Sequence, residues 1–297
     1  MINRDALFGV AFAVLAAVGY SAKAILVKLA YLDGVDAVTL LALRMAFSMP
    51  FFIGMAFWAE RQCTEALGTH DWMLVLALGL FGYYLASILD FVGLQYISAG
   101  LERLILYLYP TMTVIISALL YKRAIGRKAI AALILSYAGI VLVFLHNTEM
   151  KQEGLLLGAS LVFVSALCLS IYFVGAGHVI ARIGTIRFTA YTLMVSSTGS
   201  MLQFALTRPM SALDVSLHVY QLTIAMAILS TVLPGFMLSY AIRRIGSGST
   251  SLIGSIGPIS TIYLGYVFLN EDISLLQIVG SLLVLSGVLI ISVGEKP

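Results

Sequence analysis

Residues 97–113, ISAGLERLILYLYPTMT, and residues 245–261, IGSGSTSLIGSIGPIST, are one pattern written twice, 148 positions apart. Ile97 meets Ile245, Gly100 meets Gly248, Leu104 and Ile105 meet Leu252 and Ile253, Pro110 meets Pro258, and Thr113 meets Thr261. The register continues through Ile125 with Ile273 and Gly139 with Gly287. At an offset of 149 it reaches back to Gly9 with Gly158 and Ser21 with Ser170. The chain therefore reads as two copies of one unit, residues 1–148 and 149–297.

Each copy is built from apolar runs long enough to cross a bilayer, for which a helix needs about 20 residues. Ten such runs are predicted, at about 7–30, 37–59, 72–94, 97–120, 128–146, 154–178, 187–207, 217–241, 247–269 and 275–293. They are too long and too uniformly apolar for the alternating strands of a membrane barrel. Composition agrees: 61% of the 297 residues are hydrophobic and 10% charged, against roughly 25% charged in soluble domains. A mean hydropathy of +1.04 excludes a water-soluble globule. The longest loops, near 60–71 and 208–217, cannot hold a soluble domain.

The N-terminus imitates a secretory leader, with Arg4, an apolar run and Ala22-Lys23-Ala24. The run continues through Ile25, Leu26 and Val27 and has a counterpart in the second copy, so a retained helix is expected.

Orientation follows from the excess of basic residues on the cytoplasmic side. With the N-terminus inside, the cytoplasmic segments hold Arg4, Arg61, Lys122, Arg123, Arg127, Lys128, Arg182, Arg187, Arg243, Arg244 and Lys296, against Lys151 and Arg208 outside. Both termini are thus expected in the cytoplasm of a cell whose inner membrane holds the protein. Five helices per copy is an odd number, so the second copy enters from the opposite face. The fold class is an all-α membrane protein, ten transmembrane helices as two inverted five-helix repeats around a central cavity, a construction typical of secondary transporters.

The second copy ends with Gly246-Ser-Gly-Ser, Pro258, Asn270-Glu271-Asp272, Gln277 followed by Gly280, and Gly287. This resembles the EamA-type repeat of the drug/metabolite transporter superfamily, whose members have ten helices in two repeats and mostly export metabolites. Its size and its many Tyr and Phe are most similar to the aromatic amino-acid exporters of the YddG type. The first copy departs from the motif, with Arg123 and Ala132 where the second has Glu271 and Gly280. Arg123 falls on the cytoplasmic side, where basic residues hold orientation, and Glu271 outside, where an acid is tolerated. Glu271 is therefore read as a structural helix-end residue.

A charge at the bilayer centre costs about 2.5–3.5 kcal/mol on insertion scales, so intramembrane ionisable residues are functional candidates. Lys23, Lys28, Arg44, Asp90, Glu102 and Arg103 qualify, all in the first copy and its outer half. Four positive and two negative charges leave a net positive site suited to a substrate carboxylate. Lys23 is the deepest and the first candidate for that contact, and its repeat counterpart is Tyr172. Asp90 and Glu102 either neutralise Lys23, Arg44 or Arg103 to hold helix ends together, or form pairs that break and re-form as a gate. Lys28 reads as a snorkelling residue.

Tyr83, Tyr84, Tyr107 and Tyr109 fall near mid-membrane, where a buried phenol needs a partner. They either pack between helices or line a wet cavity and stack on an aromatic or apolar substrate. Pro110, Pro234 and Pro258 fall inside helices and bend them, and Pro110 and Pro258 are assigned to gating. Ser251 and Ser255, in the small polar start of helix nine, either allow close packing or hydrogen-bond a ligand. His178 reads as a helix-end residue.

Several classes are excluded. The net charge of +3 is not clustered, which argues against nucleic acid. Cys63 and Cys168 form no CxxC pair and read as packing residues. Neither a phosphate loop nor an H-E-x-x-H metal site occurs, and the four histidines sit at helix ends, so no enzyme, metal or cofactor is implied.

The leading expectation is export of amino acids, aromatic or apolar, by alternating access. Lys23 or a neighbouring base meets the carboxylate, and tyrosines meet the side chain. Drug-like cations or nucleotide-sugars remain alternative cargoes, and a polytopic membrane enzyme or scaffold a remoter alternative. Pairing of two copies as a homodimer through helices five and ten is left open.

Overall fold

The computed structural model describes residues 4–62, 67–122, 126–149, 153–254 and 256–294. These form an all-helical bundle. The helices are α1 (Arg4–Leu32), α2 (Ala37–Glu60), α3 (Thr69–Gly93), α4 (Ala99–Leu120) and α5 (Arg127–Glu149) of the first half. The second half has α6 (Leu155–Ile183), α7 (Thr185–Thr207), α8 (Leu217–Ala227 continuing through Leu233–Gly254), α9 (Ile256–Leu269) and α10 (Leu275–Gly294). Spans in α1, α2, α3, α4, α6 and α8 are long and apolar enough to cross a membrane, and apolar stretches in α5, α9 and α10 are shorter. The α7 helix is the least apolar because its buried face carries Thr192, Ser196, Ser197 and Ser200.

Helix starts follow local rules for satisfying orphan N–H groups. Asp36 accepts the N–H groups of Val38 and Thr39 at the start of α2, Ser98 accepts that of Leu101 in α4, and Ser216 that of Val219 in α8. Gly184 (φ +84°) alone separates α6 from α7, a backbone conformation that L side chains rarely adopt.

The repeat seen in the sequence recurs as contacts. Ser21 Oγ lies 2.7 Å from the Ala17 carbonyl and 2.8 Å from that of Gly257. Ser170 Oγ lies 2.7 Å from the Ala166 carbonyl and 3.0 Å from that of Tyr109. Those acceptors are themselves repeat counterparts. A Cβ on Gly9 would meet Ile245 Cγ2 at 2.6 Å, and one on Gly158 would meet Ile97 Cγ2 at 2.8 Å. In the α5–α10 contact, Gly139 faces the Gly280 carbonyl and Gly287 faces the Ala132 carbonyl, again related by 148. The same small-residue faces of α5 and α10 are thus used within one chain. Wide π-helical turns also recur, at Leu78–Tyr84 in α3 and Ile228–Val232 in α8.

The first helix of each half packs on the other half's helices. The α1 helix lies chiefly against α8 and α9, and α6 against α3 and α4. Two bundles result, α1/α8/α9 and α3/α4/α6, with α2 packed on α7 and α5 on α10.

One boundary differs from expectation. No loop interrupts the backbone between the predicted eighth and ninth spans, and helical bonding continues to Gly254. The chain nevertheless turns back along α1 inside this stretch: Pro234 packs at Gly19, Ile245 at Gly9, and Gly257 again at Ser21. Hydropathy marks where an apolar run ends, not whether the reversing turn keeps helical hydrogen bonds.

Candidate functional site

The seam between the two bundles carries the charges. From α1, Lys23 Nζ reaches Asp90 Oδ2 at 2.5 Å on α3 and Glu102 Oε1 at 3.2 Å on α4. Asp90 is 3% exposed and Glu102 0%. Asp90 Oδ1 and Glu102 Oε2 have no hydrogen-bond partner among the described residues. A buried ion pair gains little net stability because desolvation offsets attraction, but it makes the removal of one partner expensive. Lys23 thereby ties bundle α1/α8/α9 to bundle α3/α4/α6.

Both acids go to Lys23, and the two arginines do without. Arg44, buried on α2, donates to the Thr231 hydroxyl from Nε (3.1 Å) and Nη2 (2.9 Å), with Phe91 5.5 Å below the guanidinium. Thr231 stands in the wide turn of α8 and in turn donates to the Met226 carbonyl. Arg103 extends along α9, where a Cβ on Gly257 would come within 3.1 Å of its Nη2, and its buried Nε has no hydrogen-bond partner among the described residues. Lys28 lies within electrostatic reach of Glu271 and Glu102. Glu271 caps α4, accepting the N–H groups of Ala99 (2.8 Å) and Gly100 (3.3 Å).

Aromatic rings gather beside these charges. Tyr83 and Tyr172 meet edge-on at 5.8 Å, Tyr172 lies 5.6 Å from Phe188, and the Tyr172 hydroxyl is 3.3 Å from Thr192 Oγ1. Tyr107 meets Tyr109 at 6.1 Å, and Tyr109 stacks on Phe173 at 5.0 Å. Tyr172 owes its place to Gly82, since a Cβ there would be 2.6 Å from the Tyr172 Cβ. Tyr84 points elsewhere, toward Gly199 of α7.

Pro110 opens the second segment of α4 after a break at Tyr107 and Leu108, while Pro258 is buried near the start of α9. Ser255 lies outside the described residues. Ser251 belongs to the helical backbone ahead of α9, but its side chain lies outside them, as does that of His178. Cys63 and Arg123 also lie outside, and Cys168 is half-buried on α6. Among the described residues, no three His, Cys, Asp or Glu side chains form a metal-holding group.

Tyr20 was not singled out from the sequence, yet it lies within electrostatic reach of Tyr83, Tyr109, Tyr172 and Arg44. Its signal was available: a tyrosine in mid-helix, one residue before the repeated Ser21. A second cluster was also missed. Arg187 of α7 donates to both Glu60 oxygens of α2 at 2.6 and 2.8 Å, and Tyr191 donates to Oε1 at 2.5 Å. Arg187 had been assigned to the helix-flanking charges, with no sign of its distant partner.

The described residues bring together two bundles, a charge cluster bridging them and polar aromatics around it. The model of the EamA-like transporter family matches residues 7–145 and 156–293. The chain is 28% identical to the transporter YcbK of Bacillus subtilis over 93% of this chain and 90% of that one. It is 25% identical to a transporter of Archaeoglobus fulgidus over 86% and 88%. A crystal structure covers 95% of both chains at a TM-score of 0.63 and 18% identity, a likeness of fold alone. With both halves matched by the same family model, the chain is a multi-pass membrane transporter, not an enzyme, and belongs to the EamA-like transporter family.

Proposed function

We propose that the protein exports small zwitterionic metabolites, foremost aromatic or apolar amino acids, across a bacterial inner membrane by alternating access, in the manner of the aromatic amino-acid exporters. Both termini face the cytoplasm in this reading, which the distribution of basic residues supports. A single chain of two halves, residues 1–148 and 149–297, suffices for it.

The observation that carries the reading is the charge balance of the seam. Lys23, Arg44 and Arg103 outnumber Asp90 and Glu102, so the seam is net positive, and both acids are held by Lys23. A cargo carboxylate meets the Arg103 Nε, which has no hydrogen-bond partner among the described residues, with Lys23 close by. Tyr20, Tyr83, Tyr107 and Tyr172 then present ring faces and hydroxyls to the side chain. Ser251 and Ser255 are, in sequence, the repeat counterparts of Arg103 and Tyr107 and remain candidate ligands on that ground. Gating falls to the contacts that cross the seam, Lys23 to Asp90 and Glu102 and Arg44 to Thr231, with Pro110 and Pro258 as the bends. A net-positive seam disfavours drug-like cations.

The test is counterflow in proteoliposomes with labelled amino acids, a quaternary cation and a nucleotide-sugar. Exchange of L-phenylalanine or L-leucine, reduced at least tenfold by Arg103→Gln, is expected. Exchange of the cation or the nucleotide-sugar alone would overturn the reading.

A further inference from the structure

The two carboxylates of the seam share one ammonium. Lys23 occupies Asp90 Oδ2 and Glu102 Oε1, which leaves Asp90 Oδ1 and Glu102 Oε2 buried without donors. Both carboxyl groups lie within hydrogen-bond distance of the one Lys23 Nζ, at 2.5 and 3.2 Å, so they stand side by side. An ionised carboxylate only accepts hydrogen bonds, so two of them side by side repel, whereas one shared proton turns the contact into a bond.

Among the described residues, Lys23 is the base that forms ion pairs with these two acids. On α1, Lys23 is already engaged, and Lys28 lies within electrostatic reach of Glu271 and Glu102 without an ion pair to either among the described residues. On α2, Arg44 is spent on Thr231. On α4, Arg103 makes no ion pair with either acid, and Glu271, from the α9–α10 connection, is itself an acid occupied with the N–H groups of Ala99 and Gly100. Gln277 of α10 approaches Gly100.

We propose that the Asp90–Glu102 pair carries one exchangeable proton and that the ammonium group of the cargo displaces it. In the cargo-free site the proton bridges the pair. When a zwitterion places its carboxylate on Arg103, its ammonium takes the free carboxylate oxygens, the O–H bond breaks and the proton leaves to water. At the acid pair the ammonium replaces the proton charge for charge, while the cargo carboxylate is met by Arg103, so occupation by cargo and by proton exclude each other. Because the pair lies on the seam and is tied to Lys23 of the opposite bundle, export of cargo is coupled to import of a proton. The identity of the displacing group rests on the amino-acid reading above; the bound proton does not.

The experiment is infrared difference spectroscopy of the full chain in liposomes at pH 7, without cargo and with saturating L-phenylalanine. A carbonyl stretch of a protonated carboxylic acid, shifted in D2O, is expected without cargo and lost with it. Isotopic labelling of Asp or Glu carboxyls in the wild-type chain assigns the band even where Glu102→Gln or Asp90→Asn fails to fold. In the folded variant the band disappears, and an entrapped pH dye, which should report proton movement opposite to net L-phenylalanine transport by the wild type, reports none. Absence of the band in the wild type would overturn the proposal, as would a band unchanged by L-phenylalanine in vesicles that transport it. Failure of the amino-acid reading looks different: no amino acid is exchanged, and the labelled band is still present.

Discussion

Glu271 Oε1 accepts the backbone N–H of Ala99 at 2.8 Å, so an acid of the second half caps a helix of the first. Its other oxygen accepts the N–H of Gly100. The N-terminal turn of α4, which carries Glu102 and Arg103, is thus fixed from across the repeat. Replacing a capping acceptor costs about 1 kcal/mol, and a charge at a helix N-terminus adds to it. Glu271→Ala should lower the melting temperature of the purified protein and weaken transport, while Glu271→Gln retains part of both. Unchanged melting in Glu271→Ala would show that Ser98 caps α4 without help.

Removal of Lys23 is a test of stability as much as of function. It leaves the buried acid pair Asp90 and Glu102 without its cation, and breaking such a buried ion pair costs about 3–5 kcal/mol. Lys23→Ala alone should therefore express poorly or melt early. The triple variant Lys23→Met, Asp90→Asn, Glu102→Gln removes every charge of the cluster and should regain most of the stability but none of the transport. A Lys23→Ala protein as stable as the wild type in a thermal shift assay would mean that water or protonation meets both acids.

The residues alone reveal some of this and hide the rest, for physical reasons. Apolar runs and the register of Gly9, Gly139 and Pro110 with their counterparts are local signals, so the ten spans and the inversion are legible. Intramembrane charges are conspicuous because lipid makes them costly, which is why Lys23, Asp90 and Glu102 stand out. Which base meets which acid depends on α1 crossing to α8 and α9, and no local pattern encodes that exchange. The Arg187–Glu60–Tyr191 cluster is hidden for the same reason, since its members are 127 and 131 residues apart. Glu271 was legible as a helix-end residue, but not as the cap of a helix in the other half.

Asp36, in the turn before α2, lies outside the spanning segments. Partial burial pushes its carboxyl up, but the Thr39 hydroxyl, the Arg208 guanidinium and the Thr39 N–H outweigh that and hold it below the usual carboxylate range. A carboxyl lowered on folding adds stability that is complete above its unfolded value, about 3.9, and is lost as pH falls through the lower folded value. Melting temperature should therefore decline on the acid side of that value, and Asp36→Asn should flatten the decline at the cost of stability at pH 7. An identical acid limb in both proteins would assign it to other carboxyls.

The same contact, Arg208 to Asp36 at 3.0 Å, ties the end of α7 to the start of α2, and Arg187 with Glu60 ties their opposite ends. Between them Ser197 Oγ lies 3.6 Å from Met45 Sδ. Two helices fastened at both ends and packed in the middle move as one body, whatever the bundles on either side do. A short thiol cross-link between Met45→Cys and Ser197→Cys, in a Cys63→Ser, Cys168→Ser background, should therefore leave transport at half the uncross-linked rate or better. Transport abolished by the link and restored by reductant would show that α2 and α7 slide past one another, placing the working motion between them and not across the Lys23 seam.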